Sequence, residues 1–185
     1  MHIPALLQRT DELALETTDE ISREANLPIT ETLLMDYRIS IFELRQWLDD
    51  WSVAEKGPLY WRSTYEPSDA VKEVDPECIP VFEKGADHLC FQTTQSAGLL
   101  ITYWSFVLEL AMGMMGTQLN LPETMRHSST DALRDADETM QLIVETAPHL
   151  SSCFEGVVTV KGPLQVVARY LQFRGRESPS TLLPV

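Results

Sequence analysis

Apolar positions recur most regularly between residues 31 and 53, where Leu34, Tyr37, Ile41, Leu44, Leu48 and Trp51 follow one another at intervals of 3, 4, 3, 4 and 3. That spacing places the six side chains on one face of an α-helix. Leu33, Phe42 and Trp47 lie off this seam, so the stripe is broad, as in a helix packed inside a bundle. A two-stranded coiled coil is the alternative reading, and the pattern lasts under three heptads. Upstream, residues 10–26 are charge-rich, with Leu13, Ala14, Ile21 and Ala25 irregularly spaced. They predict a helix with a small apolar face, broken near Thr17 and Thr18. Pro28 allows a fresh start, with Thr30 as candidate N-cap.

Residues 54–90 change character. Gly57-Pro58, Pro67, Pro76, Pro80 and Gly85 punctuate this stretch too often for a long helix. It reads as a long Pro-rich connection with short strand-like or 3₁₀ pieces around Leu59–Tyr60–Trp61 and Val81–Phe82. Residues 91–116 then predict a second long helix. Glu109 is its only charge between Ala97 and Gly116, which raises the question of a membrane span. Glu109, three glycines and the lack of flanking Lys or Arg favour a buried core helix instead. Farther on, Ser128-Ser129-Thr130-Asp131 offers N-caps for a helix bearing Leu133, Ala136, Met140, Ile143, Val144 and Ala147 and ending before Pro148. A looser segment, His149–Lys161, follows. Gly162-Pro163 opens a short last helix carrying Leu164, Val167, Tyr170 and Leu171, which Gly175 and the tail terminate. The expected fold class is all-α, an irregular helical bundle with a long Pro-rich connection. Its expected parts are an N-terminal helical segment (1–30), an all-α domain (31–176) and a disordered tail (177–185).

Composition narrows the function classes. With 185 residues and 44% hydrophobic side chains, the chain can bury roughly 70% of its unfolded surface without a metal or disulfide. Its net charge of −14 repels DNA and anionic membranes, partners recognised through excess Lys and Arg. The acidity is concentrated in residues 1–90, with 19 acids and 8 bases against 9 and 6 in residues 91–185. Lys161, Arg169, Arg174 and Arg176 make a small basic stretch without an acid, read as a solvated face pairing with acidic helices of the same chain. Cys78, Cys90 and Cys153 form no C-x-x-C pair and no zinc pattern. The first residues lack a basic start and apolar core, so no secretory signal is read. Together these favour a reducing interior, cytosol or nucleus.

Candidate chemistry is thin. His88 and Cys90 give a His-x-Cys pair, but no neighbouring pair completes a zinc frame, and Cys90 reads more simply as a buried small hydrophobe. His149 with Cys153 or a serine makes a base and nucleophile only on paper, without a nucleophile elbow or Gly-rich phosphate loop. Asp49–Asp50 and Asp135/Glu138 read as helix-surface carboxylates. The chain therefore offers no catalytic residue and no metal ligand set, and its cofactor-binding residues are undetermined. Trp47, Trp51, Tyr60, Trp61, Tyr103 and Trp104 are the alternatives to ordinary core, as the lining of a small-molecule cavity between helices.

Three passages taken in order carry a resemblance. Residues 33–51 (LLMDYRISIFELRQWLDDW) lead to Pro58-Leu59-Tyr60-Trp61. Val81–Leu110 makes a Phe-containing entry into a helix centred on Tyr103-Trp104. In Asp135–Gly175, Ala136-Asp137 leads a helix, a Gly-containing loop follows, and Gly162-Pro163-Leu164 opens the last helix. Together these residues, about 33–176, resemble the C-terminal part of the fungal-specific regulatory domain of zinc binuclear-cluster (Zn2Cys6) transcription factors. The family's six-cysteine cluster and basic linker are absent, so its zinc and its DNA reading transfer to no residue here. Met1 is either the true start or the start of a truncated gene product.

The resemblance implies a non-enzymatic all-α regulatory domain in the nucleus, or otherwise the cytoplasm. It would modulate transcription through protein partners of the transcription machinery, a homodimer partner or a small-molecule effector, with no direct nucleic-acid contact. No cofactor is expected in this chain, because zinc belongs to the missing cluster. The seam Leu34–Trp51 serves a homodimer as readily as an intrachain core, and loop 54–90 is a candidate movable cover. The alternatives are a membrane-associated protein using residues 97–116, which is less favoured, and a small helical enzyme whose base would be His88, His127 or His149.

Overall fold

The computed structural model describes residues 3–55, 57–64, 87–126, 130–151 and 154–177. Its central element is the apolar helix α4 (Thr94–Gln118), capped by the Thr93 hydroxyl, which accepts the Ser96 N–H at 3.0 Å. Four other helices pack on it: α1 (Ile3–Glu16), α3 (Leu27–Ala54), α5 (Thr130–Ser151) and α6 (Phe154–Glu177). Leu100, Ile101, Leu108 and Leu110 of α4 are fully buried, because neighbours cover the helix on several sides. By length and composition α4 could also cross a membrane, and more than half of its most apolar window is buried inside the protein. The fold is all-α, with one two-stranded ribbon added.

That ribbon pairs β1 (Tyr60–Thr64) with β2 (Asp87–Phe91) in antiparallel register, Tyr60 opposite Phe91 and Arg62 opposite Leu89. The strand-like piece expected near Leu59–Trp61 is β1, while Val81–Phe82 and most of the connection lie outside the described residues. The helix expected from residue 91 begins instead at Thr94. Leu89 and Phe91 alternate with His88 and Cys90, and the two apolar side chains are buried. That period of two belongs to a strand with one face on a core.

The N-terminal half follows the expected break. Helix α1 ends at Glu16, and Asp19 caps α2 (Glu20–Ala25) in a reciprocal arrangement with Ser22. Helix α1 starts earlier than its charge-rich sequence predicts. Ile3, Leu6, Thr10 and Leu13 are all buried, and their spacing of 3, 4 and 3 makes a continuous stripe once Thr10 counts as an inside residue. Thr30 is not an N-cap. Helix α3 starts at Leu27, and the buried Thr30 hydroxyl donates to the Asn26 carbonyl at 3.1 Å.

Two prolines sit where the sequence reading ended or began helices. Pro148 lies inside α5 and Pro163 inside α6. Each removes one backbone hydrogen bond, and burial of Leu150 after Pro148, and of Val160, Val166, Val167 and Tyr170 around Pro163, offsets the loss. The looser segment His149–Lys161 and the fresh helix at Gly162-Pro163 are therefore corrected to helix on both counts, Ser152 and Cys153 lying outside the described residues. The basic stretch docks on acids of the same chain. Arg169 pairs with Glu109 of α4, and Arg174 with Asp137 of α5 at 2.7 Å. Asp137 also accepts the Tyr170 hydroxyl at 2.6 Å.

A buried polar cluster ties α1, α3 and α4 together. Thr10 Oγ1 lies 2.7 Å from the Tyr37 hydroxyl and 3.1 Å from Thr117 Oγ1, and Thr117 donates to the Gly113 carbonyl at 2.8 Å. Burial raises the Tyr37 phenol above its ordinary value, and the Tyr103 phenol likewise. A phenol raised in the fold ionises more easily in the unfolded chain, at about pH 10. The stability it contributes is complete below that pH and is lost as pH climbs toward the folded value. The urea midpoint is therefore expected to fall above about pH 10, and less steeply in Tyr37→Phe. Identical alkaline slopes in the two proteins would contradict this role for Tyr37.

Candidate protein-association surface

Of the aromatic residues that the sequence offers as a ligand lining, Trp51, Tyr60, Tyr103 and Trp104 come together as part of the core, with the 44% exposed Trp47 at its edge. The Trp47 ring stacks on Tyr103 at 5.9 Å and lies 5.4 Å from Trp51, and Tyr60 meets Trp104 edge-on at 5.2 Å. Phe91 lies 6.5 Å from Tyr60 and 5.1 Å from the His149 ring. These rings fill the space between α3, α4, α5 and the ribbon with one another, at separations where aromatic pairs attract. Trp61 points away from them and is 42% exposed.

Of the candidate chemical groups, Cys90 is half-buried, and burial pushes its thiol above the ordinary value. This is the opposite of what a nucleophile or metal ligand needs. Cys78, His127 and Cys153, and the His88 side chain, lie outside the described residues. Among the described residues no group of three or more His, Cys, Asp or Glu side chains could hold a metal ion. Asp49, Asp50, Asp135 and Glu138 are exposed. Asp135 lies 3.8 Å from its neighbour Arg134. The carboxylate that ties α5 to α6 is Asp137, paired with Arg174 and Tyr170, a residue whose only sequence signal is its place near a helix start.

The seam Leu34–Trp51 faces inward. Leu34 and Tyr37 are buried, and Ile41, Leu44, Leu48 and Trp51 pack against the core. The choice between dimer seam and intrachain core is thereby decided for the core. What remains exposed is the opposite side of α3, where Met35 is 54%, Ile39 49% and Phe42 66% accessible. Their spacing of 4 and 3 makes a second apolar stripe on the outer face of the same helix. Val53, 85% exposed, continues the line farther along.

Two hollows flank this ridge. One, of roughly 490 Å³ and open to solvent, lies between α3 and the end of α4, where Leu34, Met35 and Arg38 face Gln118, Leu121 and Met125. The other, of roughly 380 Å³, lies between α1 and α3, where Arg9 faces Asp36, Ile39 and Glu43. Arg9 and Asp36 form an ion pair at 2.9 Å. The sequence signal for this surface was available in the off-seam position of Phe42 together with Met35 and Ile39. It was hidden because the inner stripe on the same helix is longer.

The surface is thus an apolar ridge between two hollows open to solvent. Comparison of the chain with protein-family profiles, with curated proteins and with solved structures returns no match.

Proposed function

We propose that this chain is a non-enzymatic regulatory and interaction domain that acts by binding protein partners through the outer face of α3. The observation that carries this reading is the exposed row Met35, Ile39 and Phe42, on a helix whose other face is fully engaged in the core. Solvated proteins scatter single apolar residues over the surface, whereas a contiguous stripe with polar edges marks a place where another chain sits. The net charge of −14 favours protein partners over phosphate backbones. Central α4, packed on by four helices, acts as a core element, which favours this reading over a membrane-associated one.

The proposal includes a role in transcription and a nuclear location, both resting on the resemblance to the regulatory domain of fungal Zn2Cys6 factors. The first of the three passages, 33–51, coincides with α3 and ends just before the ribbon. The third departs from the resemblance, because Gly162-Pro163 lies within α6 and opens no new helix. Tethering the chain to a heterologous DNA-binding domain tests the reading. Reporter output is expected to change several-fold relative to the DNA-binding domain alone, and an unchanged output would contradict a transcriptional role.

A further inference from the structure

We propose that the outer face of α3 pairs with the same face of a second copy of this chain, the two helices running parallel. This rests on the association reading above and names the partner. Met35, Phe42 and Asp49 form one row seven residues apart, and Ile39, Gln46 and Val53 form the other, so the rows alternate at spacings of 4 and 3. That is the a/d seam of a coiled coil, here turned to solvent.

The charges beside the seam fit a second copy. Asp36, Glu43 and Asp50 run along one edge, all acidic, while Arg38 and Arg45 run along the other. In a parallel pair each edge residue meets the opposite edge of the other helix five residues on. Arg38 then faces Glu43 of the second copy, and Arg45 faces its Asp50, each contact occurring twice by symmetry. An antiparallel pair would set arginine against arginine and carboxylate against carboxylate.

Among the described residues, none of Arg38, Glu43, Arg45 and Asp50 takes part in an intrachain ion pair, so all four are free for a partner. Glu31, one heptad before Arg38, would meet Asp36 of the second copy, and Arg9 already neutralises that carboxylate from α1 at 2.9 Å. The hollow between α1 and α3 is lined by Glu43 and Ile39 and leaves room for the incoming Arg38 guanidinium.

Gln46 inside the seam fixes the register, as single polar a positions do. Asp49 would face its own symmetry mate, so the contact ends there. It spans Met35–Gln46, about 18 Å of helix at 1.5 Å per residue, an interface of the small, transient class.

Sedimentation velocity on the full chain, from about 1 to about 200 µM so as to bracket weak association, is the test. The wild type is expected to pass from monomer to dimer, and Phe42→Asp to stay monomeric with an unchanged melting temperature. Arg38→Glu alone and Glu43→Arg alone are each expected to weaken dimerisation about tenfold or more. Mixed together, those two variants are expected to form a heterodimer, because both cross-pairs are then opposite in sign. A wild type that stays monomeric throughout overturns the proposal, and so does a dimer whose two charge variants fail to combine. A monomeric chain that still alters the tethered reporter would leave the regulatory reading standing and remove only the self-pairing.

Discussion

Gly113→Ala is expected to destabilise the protein by about 3 kcal/mol, although alanine is intrinsically the better helix former by about 1 kcal/mol. A Cβ at Gly113 would stand 2.3 Å from the Tyr37 hydroxyl oxygen and 2.6 and 2.7 Å from two ring carbons. Tyr37 is fully buried, and its hydroxyl is held 2.7 Å from Thr10 Oγ1, so the ring has nowhere to retreat. The clash sits where α1, α3 and α4 meet, and relieving it means parting those helices. Gly116, one turn on, is the control. A Cβ there meets only Thr10 Cγ2 at 3.8 Å, so Gly116→Ala is expected to be neutral or stabilising by up to about 1 kcal/mol. In a Tyr37→Leu background the cost of Gly113→Ala should shrink sharply, because the two sites are in contact and their effects are not additive. Urea denaturation of the wild type, the three single variants and the Tyr37→Leu/Gly113→Ala double variant gives the comparison. A Gly113→Ala protein more stable than wild type would show that the Tyr37 ring does not hold this position.

Trp104→Ala is expected to cost about 4 kcal/mol, the upper range for removing a buried aromatic. Trp104 is only 4% exposed, and its ring meets Tyr60 edge-on at 5.2 Å. It therefore fills the core and also fastens the ribbon to α4. A two-stranded ribbon has little stability of its own in water. Its attachments include the burial of Leu89 and Phe91, the ion pair of Arg62 with Glu145 at 2.9 Å, the Phe91–His149 ring contact and this one. Amide exchange is expected to accelerate more in 60–64 and 87–91 than in α1, whose cluster of Leu6, Leu13, Leu33 and Tyr37 does not include Trp104. A loss below about 1.5 kcal/mol, or equal acceleration in both regions, would contradict this placement.

The helical class was legible because α3 and α5 carry stripes that need only the period of 3.6, and because the break at Thr17–Thr18 is marked by polar residues with Asp19 as a cap. What failed did so for physical reasons. Pro148 and Pro163 read as boundaries from backbone chemistry alone, yet burial of Leu150, Val166 and Tyr170 carries both helices through. Thr10 interrupts the apolar pattern of α1 as a letter, while as a side chain it is an inside residue satisfied by Tyr37 and Thr117. The start of α4 was placed three residues early, because Phe91 is apolar in either a strand or a helix. The exposed outer stripe of α3 was least legible. A sequence window shows that α3 has apolar residues on two faces, and only the packing of α1 and α4 shows which face is used up.

On the proposed function, the outer face of α3 carries partner binding and the other exposed apolar positions do not. The tethered reporter comparing Phe42→Asp with Leu171→Asp tests it most directly. Phe42 is 66% and Leu171 55% exposed, so neither change should alter folding, and equal melting temperatures establish that. Phe42→Asp is expected to abolish the reporter response and Leu171→Asp to leave it intact. A full response from Phe42→Asp, or an equal loss from both, would contradict it.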